Sequence, residues 1–250
     1  MKLTGNTIFI TGGGSGIGRG LAESLHKLGN QVIISGRRAG VLAEVTAANP
    51  GMKSVELDIA DPASIDAVAK KLIAENPKLN VLINNAGIMT PDGVQGVVDD
   101  SVVASIVTTN LLGPIRMTSA LIEHLKKQPS AAVINVTSGL AFIPLAITAT
   151  YSATKAALHS YSLSQRYLLK DTNVRVLELA PPYVQTELMG PGQASDPRAM
   201  PLKEFIDETI QVLGTDADEV LVEKVGFLRD ATGRGDSAFT TKLNDMFAGH

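Results

Sequence analysis

Short apolar segments alternate with longer amphipathic segments through most of the chain, and this alternation constrains the fold more than any other feature. The short segments are rich in β-branched residues, which favours strands, whereas the longer ones space their apolar residues as helices do. The predicted strands are Thr7–Thr11, Gln31–Ser35, Ser54–Leu57, Val81–Asn84, Ala132–Val136 and Val174–Leu179. The predicted helices cover residues 16–28, 39–48, 62–75, 101–127 and 151–169, and the proline of Gly113-Pro114 could bend the helix 101–127. This order predicts right-handed β-α-β crossovers and a parallel sheet with helices on both faces.

The last part of the chain is less regular. Residues 183–215 are rich in proline, glycine and methionine, which predicts an inserted loop that carries a helix near Leu202–Leu213. One more helix is predicted at 218–230, and the polar tail after it has no clear pattern. No repeat or linker divides the 250 residues, so we expect 1–250 to form a single α/β domain with the insertion at 183–215.

Composition argues against several functional classes. The chain has no cysteine, which excludes disulfides and thiolate metal sites and is typical of a reducing cytosol. Its net charge is −3 and it has no run of lysine or arginine, so we expect no nucleic-acid partner. No secretion signal and no apolar stretch of about 18 residues is present, so we expect a cytoplasmic protein with no membrane span.

A glycine-rich loop, Thr11–Gly18, lies between the first predicted strand and the first helix. Glycines there allow a tight turn and a close backbone approach to a pyrophosphate, and the following helix offers its N-terminal N–H groups to the same anion. The loop is spaced T-G-x-x-x-G-x-G, so the G-x-G-x-x-G register is absent. The alternative is a glycine-rich connection that binds no ligand.

Tyr151 and Lys155 form a Y-x-x-x-K pair at the start of a predicted helix, one turn apart on one face. Ser138 lies at the end of a predicted strand, where open parallel sheets bind ligands. Hydride addition to a carbonyl creates an alkoxide that needs a proton. Tyr151 would supply this proton, Lys155 would lower the tyrosine pKa by up to about 3 units, and Ser138 would donate a hydrogen bond to the carbonyl oxygen.

The glycine loop, Asn84–Gly87, Ser138 and the Y-x-x-x-K pair together resemble the short-chain dehydrogenase/reductase family over residues 5–190. Pro-Pro-x-V-x-T-E-L after the sixth strand, with Met200–Phe205, resembles its subgroup of DltE-like oxidoreductases. The resemblance implies a doubly wound Rossmann fold with six or seven strands in the order 3-2-1-4-5-6-7. The seventh strand is doubtful, because residues 231–250 contain no apolar strand pattern. Homo-dimers or homo-tetramers are common in the family, through helices such as 101–127 and 151–169.

The resemblance implies a catalytic set of Asn110, Ser138, Tyr151 and Lys155. Asn110 would interrupt its helix and hold a water that connects Lys155 to solvent, although it could also be a simple surface asparagine. Lys155 would also hold the nicotinamide ribose. The four histidines have no metal spacing, so no metal is expected, and His159 is interpreted as a helix-surface residue.

The nicotinamide cofactor is expected to be NADP(H), with NAD(H) less favoured. NAD-binding members carry an acid at the tip of the second strand, where this chain has Gly36 followed by Arg37, which can grip a 2′-phosphate. The alternative is that Arg37 is a solvated loop charge, and Asp58 could likewise be a helix-capping residue. The residues expected to bind the cofactor are Gly12, Gly14, Ser15, Gly16, Ile17, Gly18, Arg37, Arg38, Asp58, Ile59, Asn85, Ala86, Gly87, Tyr151, Lys155, Pro181, Val184 and Thr186.

The expected substrate is a mainly hydrophobic carbonyl compound or secondary alcohol. Residues 140–146 are almost wholly apolar, and the expected substrate contacts are Leu140, Tyr183, Leu188 and Met189. Part of this set could instead belong to the core or to a subunit contact. Most of the family has Pro-Gly where this chain has Pro181-Pro182, so the loop path is expected to differ slightly.

The leading hypothesis is therefore an NADPH-dependent carbonyl reductase that also runs as an alcohol dehydrogenase. The spacing of Tyr151 and Lys155 disfavours reduction of carbon–carbon double bonds, since related enoyl reductases space this pair more widely. One alternative is a non-catalytic NADP-binding regulatory protein with the same fold. Another is a methyltransferase with a glycine-rich loop, which would make no use of the Tyr151–Lys155 pair.

Overall fold

The computed structural model describes residues 1–232 and 236–247, and within them the chain forms one parallel sheet of seven strands. The strand order is β3-β2-β1-β4-β5-β6-β7, which confirms the predicted topology. The strands are β1 Thr7–Thr11, β2 Gln31–Gly36, β3 Lys53–Glu56, β4 Leu79–Asn84, β5 Ala131–Val136, β6 Val174–Leu179 and β7 Glu219–Val220.

Helices cover both faces of the sheet. They are α1 Gly16–Lys27, α2 Ala39–Ala48, α3 Pro62–Glu75, α4 Asp100–Val107, α5 Gly113–Leu125, α6 Ala149–Leu169, α7 Leu202–Leu213, α8 Glu223–Asp230 and α9 Asp236–Phe247. The helix predicted within the insertion is present as α7. Within the described residues, no helix is both long enough and apolar enough to span a membrane.

Alternate residues of β1 enter two separate hydrophobic cores, one on each face of the sheet. Ile8 and Ile10 pack in the core that includes α1 and α7, whereas Phe9 packs in the core of α3 and α5. All three are fully buried, as expected for a central strand of a parallel sheet covered on both faces. The central sheet is therefore rigid, and it fixes the loops at the carboxyl ends of its strands.

Two predictions about element boundaries were wrong. The single helix predicted at 101–127 is divided by a π-helical turn, Thr108–Leu112, and α5 begins at Gly113, beside the predicted bend. The helix predicted at 218–230 begins only at Glu223, because Glu219–Val220 pairs with the edge strand β6 as the seventh strand. Two residues are too few to show strand periodicity. The seventh strand is therefore present and lies upstream of residues 231–250.

Candidate active site

The glycine loop between β1 and α1 needs glycine for steric reasons. Gly12 has a φ of +68°, and a Cβ on it would lie 2.9 Å from the Ala86 Cα. A Cβ on Gly18 would lie 2.3 Å from the Gly12 carbonyl oxygen, much closer than atoms can approach. The loop is therefore packed tightly against the end of β4, and its backbone borders a large cleft.

Asn85 holds this loop against the end of β4. Its side-chain Nδ2 donates to the carbonyl oxygens of Thr11 (2.9 Å) and Gly12 (3.1 Å). The Thr11 hydroxyl accepts the backbone N–H groups of Asn85 and Ala86, both at 3.0 Å. Asn85 thus fastens the two strands between which the sheet order reverses, which is where open α/β sheets bind ligands.

The cleft has a volume of about 1430 Å³, which exceeds the roughly 300–1,000 Å³ of an ordinary ligand pocket. It is large enough for a dinucleotide and a substrate side by side. All but one of the predicted site residues line it: Gly12, Gly14, Ser15, Gly16, Ile17, Gly18, Arg37, Arg38, Asp58, Ile59, Asn85, Ala86, Gly87, Ser138, Leu140, Tyr151, Lys155, Pro181, Tyr183, Val184, Thr186, Leu188 and Met189. The exception is Asn110.

Arg37 and Arg38 are exposed at the tip of β2, beside the cleft. Among the residues that the structure describes, neither forms an ion pair with a carboxylate. Asp58 lines the cleft and also caps its own turn, since its Oδ1 accepts the Ala60 N–H at 2.9 Å. The capping role of Asp58 and its place beside the cleft are therefore compatible.

Ser138, Tyr151 and Lys155 converge at the end of the cleft nearest β5. Tyr151 and Ser138 are joined by a side-chain hydrogen bond, and Lys155 Nζ lies 5.5 Å from the centre of the Tyr151 ring. Lys155 Nζ donates to the Val136 carbonyl oxygen at 2.8 Å. Gly87 lies close to the Lys155 ammonium: a Cβ on Gly87 would be 3.7 Å from Nζ.

Burial controls the charge states of the two ionisable side chains. It raises the pKa of Tyr151 to about 12, although the hydrogen bond from Ser138 opposes this rise. Burial also lowers the pKa of Lys155 to about 8. In the protein alone, desolvation dominates the pKa of Tyr151, and the Lys155 ammonium donates to Val136. The lowering of the tyrosine pKa by Lys155 stays a prediction.

Asn110 is fully buried in the π-helical turn, so the alternative of a surface asparagine is wrong. Its Nδ2 donates to the Ile88 carbonyl oxygen at 2.8 Å, and its Oδ1 accepts the Ile88 N–H at 2.9 Å. Asn110 therefore fastens the chain that follows β4 rather than lining the cleft directly. The extra residue of the π turn is a known device for redirecting a side chain at a functional site.

Asp92 caps the helix that carries Tyr151, a contact that no sequence pattern indicates. Its carboxylate oxygens accept the N–H groups of Ala149 (2.8 Å) and Thr150 (2.7 Å). The cap lies 57 residues upstream of Ala149, beyond the range of any local capping pattern. The loop after β4 therefore reaches the active site through both Asn110 and Asp92.

A buried carboxylate, Glu178 of β6, lies behind Ser138. It accepts the hydroxyl of Thr137, the residue before Ser138, at 2.7 Å, and its other oxygen lies 2.7 Å from His159 Nδ1. Glu178 is fully buried and His159 is partly buried, so the interpretation of His159 as a plain surface residue is wrong.

Glu219 completes a cluster with His159 and Glu178 whose side-chain oxygens and nitrogen lie within 4.8 Å of one another. Metal ligands in a tetrahedral site are about 3.4 Å apart when each lies about 2.1 Å from the ion. The 2.7 Å between His159 and Glu178 is a hydrogen-bond distance, and Glu219 is held by both Nε (2.8 Å) and an Nη (3.1 Å) of Arg229. These contacts describe a hydrogen-bonded network in which Arg229 forms an ion pair with Glu219.

The insertion closes the side of the cleft opposite Ser138. Gln193 holds it, because its Nε2 donates to the Val184 carbonyl oxygen (2.8 Å) and the Thr186 hydroxyl (3.1 Å). The Tyr183 hydroxyl donates to Asp196 at 3.1 Å. The Pro181 carbonyl oxygen accepts the Gly139 N–H at 2.8 Å, so the double proline still holds the loop after Ser138.

Comparison with known proteins agrees with this geometry. The short chain dehydrogenase family profile matches residues 6–196. The chain is 42% identical over 236 residues to the uncharacterized oxidoreductase DltE of Bacillus subtilis, covering 93% of this chain and 94% of that protein.

Two solved structures extend the comparison. A short chain dehydrogenase from Burkholderia cenocepacia in complex with NADP superposes with a TM-score of 0.84 at 27% identity, covering 97% of this chain and 99% of that one. A 3-ketoacyl-(acyl-carrier-protein) reductase from Brucella melitensis complexed with NADH gives a TM-score of 0.77 at 27% identity, with 86% and 93% covered. The chain therefore belongs to the short-chain dehydrogenase/reductase family of NAD(P)-dependent oxidoreductases.

Proposed function

We propose that the protein is an NADPH-dependent carbonyl reductase that also runs in reverse as an alcohol dehydrogenase. The observation that carries this proposal is the convergence of Ser138, Tyr151 and Lys155 at one end of the cleft that begins at the glycine loop. A carbonyl carbon beside these side chains would lie within reach of a nicotinamide ring, and the bound cofactor would supply the hydride.

In this mechanism, the Tyr151 hydroxyl donates a proton to the carbonyl oxygen as the alcohol forms. Ser138 donates a hydrogen bond to the same oxygen and stabilises its growing negative charge. The raised pKa of Tyr151, about 12, supports reduction, since the residue is a protonated acid at neutral pH. In the reverse direction, Tyr151 accepts the alcohol proton, and Lys155 stabilises the phenolate that precedes this step.

The preference for NADP(H) rests on Arg37. Gly36 ends β2 without an acid that would repel a 2′-phosphate, and Arg37 follows it at the edge of the cleft. A guanidinium can hold a phosphate through two N–H donors. The Burkholderia relative is in complex with NADP and the Brucella relative with NADH, so the family fold accepts both.

We also propose that the enzyme is cytoplasmic and works as a homo-dimer or homo-tetramer through α6. Leu163, Tyr167 and Leu168 on this helix are 44%, 67% and 78% exposed. Large apolar side chains grouped on one helix are typical of subunit contacts. Light scattering at micromolar concentration would give the oligomeric state, and a monomer would contradict this part of the proposal.

A panel of aliphatic and aryl ketones, assayed in parallel with NADPH and NADH, tests the function. The proposal predicts ketone-dependent oxidation of NADPH, with a lower rate for NADH. If NADPH binds tightly and none of the ketones or their alcohols is converted, the protein is a cofactor-binding regulator instead.

A further inference from the structure

Helix α9 lies against the loop that follows the catalytic serine, although more than 90 residues separate them in the chain. Asn244 of α9 makes two hydrogen bonds to this loop. Its Oδ1 accepts the Ala146 N–H at 2.5 Å, and its Nδ2 donates to the Pro144 carbonyl oxygen at 3.1 Å. The helix is therefore held at the outer end of the active site.

Two apolar side chains of α9 line the cleft beside this anchor. Leu243 and Met246 are three residues apart, which places them on neighbouring positions of one helix face. Leu243 is only 8% exposed and packs in the same core as Leu140, so part of its role is structural. Met246 is 65% exposed, so its packing within the protein does not account for its apolar character.

Other exposed apolar side chains line the same cleft. Ile147 of the loop and Phe227 of α8 are 48% and 54% exposed. Together with Met246 they form what we call the outer wall, defined by these three residues. Exposed apolar side chains from three separate chain segments that border one cleft are typical of a surface that binds an apolar ligand.

We propose that the outer wall selects carbonyl substrates with an extended apolar substituent, and that Met246 and Ile147 are specificity-determining residues. This inference rests on the proposed carbonyl reductase function. The reacting carbonyl would lie at Ser138 and Tyr151, and the substituent would extend past Leu140 and Leu145 to α9. Because burial of a methylene group is worth roughly fourfold in affinity, each carbon that reaches the wall will raise kcat/KM by about that factor.

A series of methyl ketones from 2-butanone to 2-decanone, assayed with NADPH, measures this selection. For the wild-type protein we expect kcat/KM to rise with chain length. Met246→Ala and Ile147→Ala will lower kcat/KM for 2-decanone roughly 5- to 20-fold and leave 2-butanone within about twofold, because the short ketone does not reach the wall. Leu28→Ala, at an exposed position at the far end of α1, is the matched control and will keep the wild-type dependence.

Binding without turnover separates this inference from the proposed function. Calorimetry with 2-decanone and 2-butanone, in the presence of NADP⁺, gives affinities that need no hydride transfer. If 2-decanone binds more tightly than 2-butanone, Met246→Ala removes this difference and no ketone is reduced, then the outer-wall inference is supported and the proposed reductase function is contradicted. If ketones are reduced, but chain length has no effect or Met246→Ala and Ile147→Ala retain the wild-type dependence, the outer-wall inference is overturned.

Asn244→Leu tests the role of α9 as a whole. This change removes both contacts to the loop while leaving Met246 and Ile147 in place, and Asn244 lies outside the catalytic set. We expect it to weaken the preference for 2-decanone as the wall substitutions do, with activity toward 2-butanone unchanged. A full preference for 2-decanone in this variant would show that α9 does not form the wall.

Discussion

The Asp92 carboxylate accepts the backbone N–H of Thr150, the residue immediately before Tyr151, at 2.7 Å. Its second oxygen accepts the N–H of Ala149, so one acidic side chain caps the first turn of α6. The backbone N–H of Asp92 in turn donates to the Ile147 carbonyl oxygen at 3.0 Å. The loop after β4 and the start of α6 are thus held together, which positions the backbone next to Tyr151.

Asp92 is therefore expected to act as a positioning residue for Tyr151. Asp92→Ala will cost about 1 kcal/mol of stability as a lost helix cap, and will lower kcat by roughly tenfold as the tyrosine moves. Asp92→Asn retains one acceptor oxygen and will restore most of kcat. Ketone reduction kinetics and thermal unfolding of each variant measure both effects.

Asp99 offers a control, since it caps α4 from the residue directly before that helix. Its Oδ1 accepts the Ser101 N–H at 2.9 Å, and it does not line the cleft. Asp99→Ala will destabilise the protein to a similar degree and leave kcat unchanged. If both alanine variants lower kcat equally, Asp92 contributes only stability.

Thr137 is predicted to position Ser138 through the buried carboxylate of Glu178. Thr137→Val removes the 2.7 Å hydrogen bond to Glu178 while preserving the shape of the side chain. A buried carboxylate that loses a partner costs about 1–3 kcal/mol, and we expect kcat to fall with the KM for NADPH little changed. Thr137→Ser restores the hydroxyl and will restore kcat. Equal kcat values for the valine and serine variants would contradict this role.

The pH dependence of the reaction is expected to follow Lys155. Because burial lowers its pKa to about 8, Lys155 is charged below that pH and loses its proton as the pH rises through it. Tyr151, with a pKa raised to about 12, stays protonated over the same range. The kcat/KM for NADPH reports the groups of the free enzyme, and it will fall above about pH 8.

Lys155→Arg is the control for this assignment. An arginine keeps its charge throughout the accessible range, so any residual activity of the variant will lack the decline near pH 8. A wild-type profile that is flat up to pH 10 would contradict the assignment, as would the same decline in the arginine variant.

Arg37 is predicted to determine the choice of cofactor. Arg37→Ala removes a charge-assisted contact to the 2′-phosphate and will raise the KM for NADPH by roughly 10- to 100-fold. The KM for NADH will change by less than about threefold, since NADH carries no phosphate there, and it serves as the internal control. Equal changes in the KM for NADPH and NADH would contradict this prediction, because they would show that Arg37 does not distinguish the two cofactors.

The sequence predicted the sheet order and most of the cleft because both depend on local patterns. The apolar residues of β1 and the glycines from Gly12 to Gly18 show their roles through spacing alone. Contacts between distant segments left no such pattern. Asp92 and Glu178 act on residues 57 and 41 positions away, and the two residues of β7 form a strand only because the edge of β6 is available.

The pKa of Tyr151 depends on burial, which the sequence does not show. The charge of Lys155 favours the phenolate, whereas burial of both side chains disfavours their charged forms. In the structure, the ammonium is 5.5 Å from the ring centre and donates to Val136, so desolvation dominates for each group.

The most direct test of the central claim is the rate of NADPH-dependent ketone reduction by Tyr151→Phe. The substitution removes the hydroxyl and retains the ring, so NADPH should bind with a Kd within about twofold of the wild-type value. Loss of the proton donor is expected to lower kcat by roughly 10²–10⁴-fold, the usual contribution of general acid catalysis. A Tyr151→Phe protein that binds NADPH normally and reduces ketones at the wild-type rate would contradict the assignment of Tyr151 as the acid.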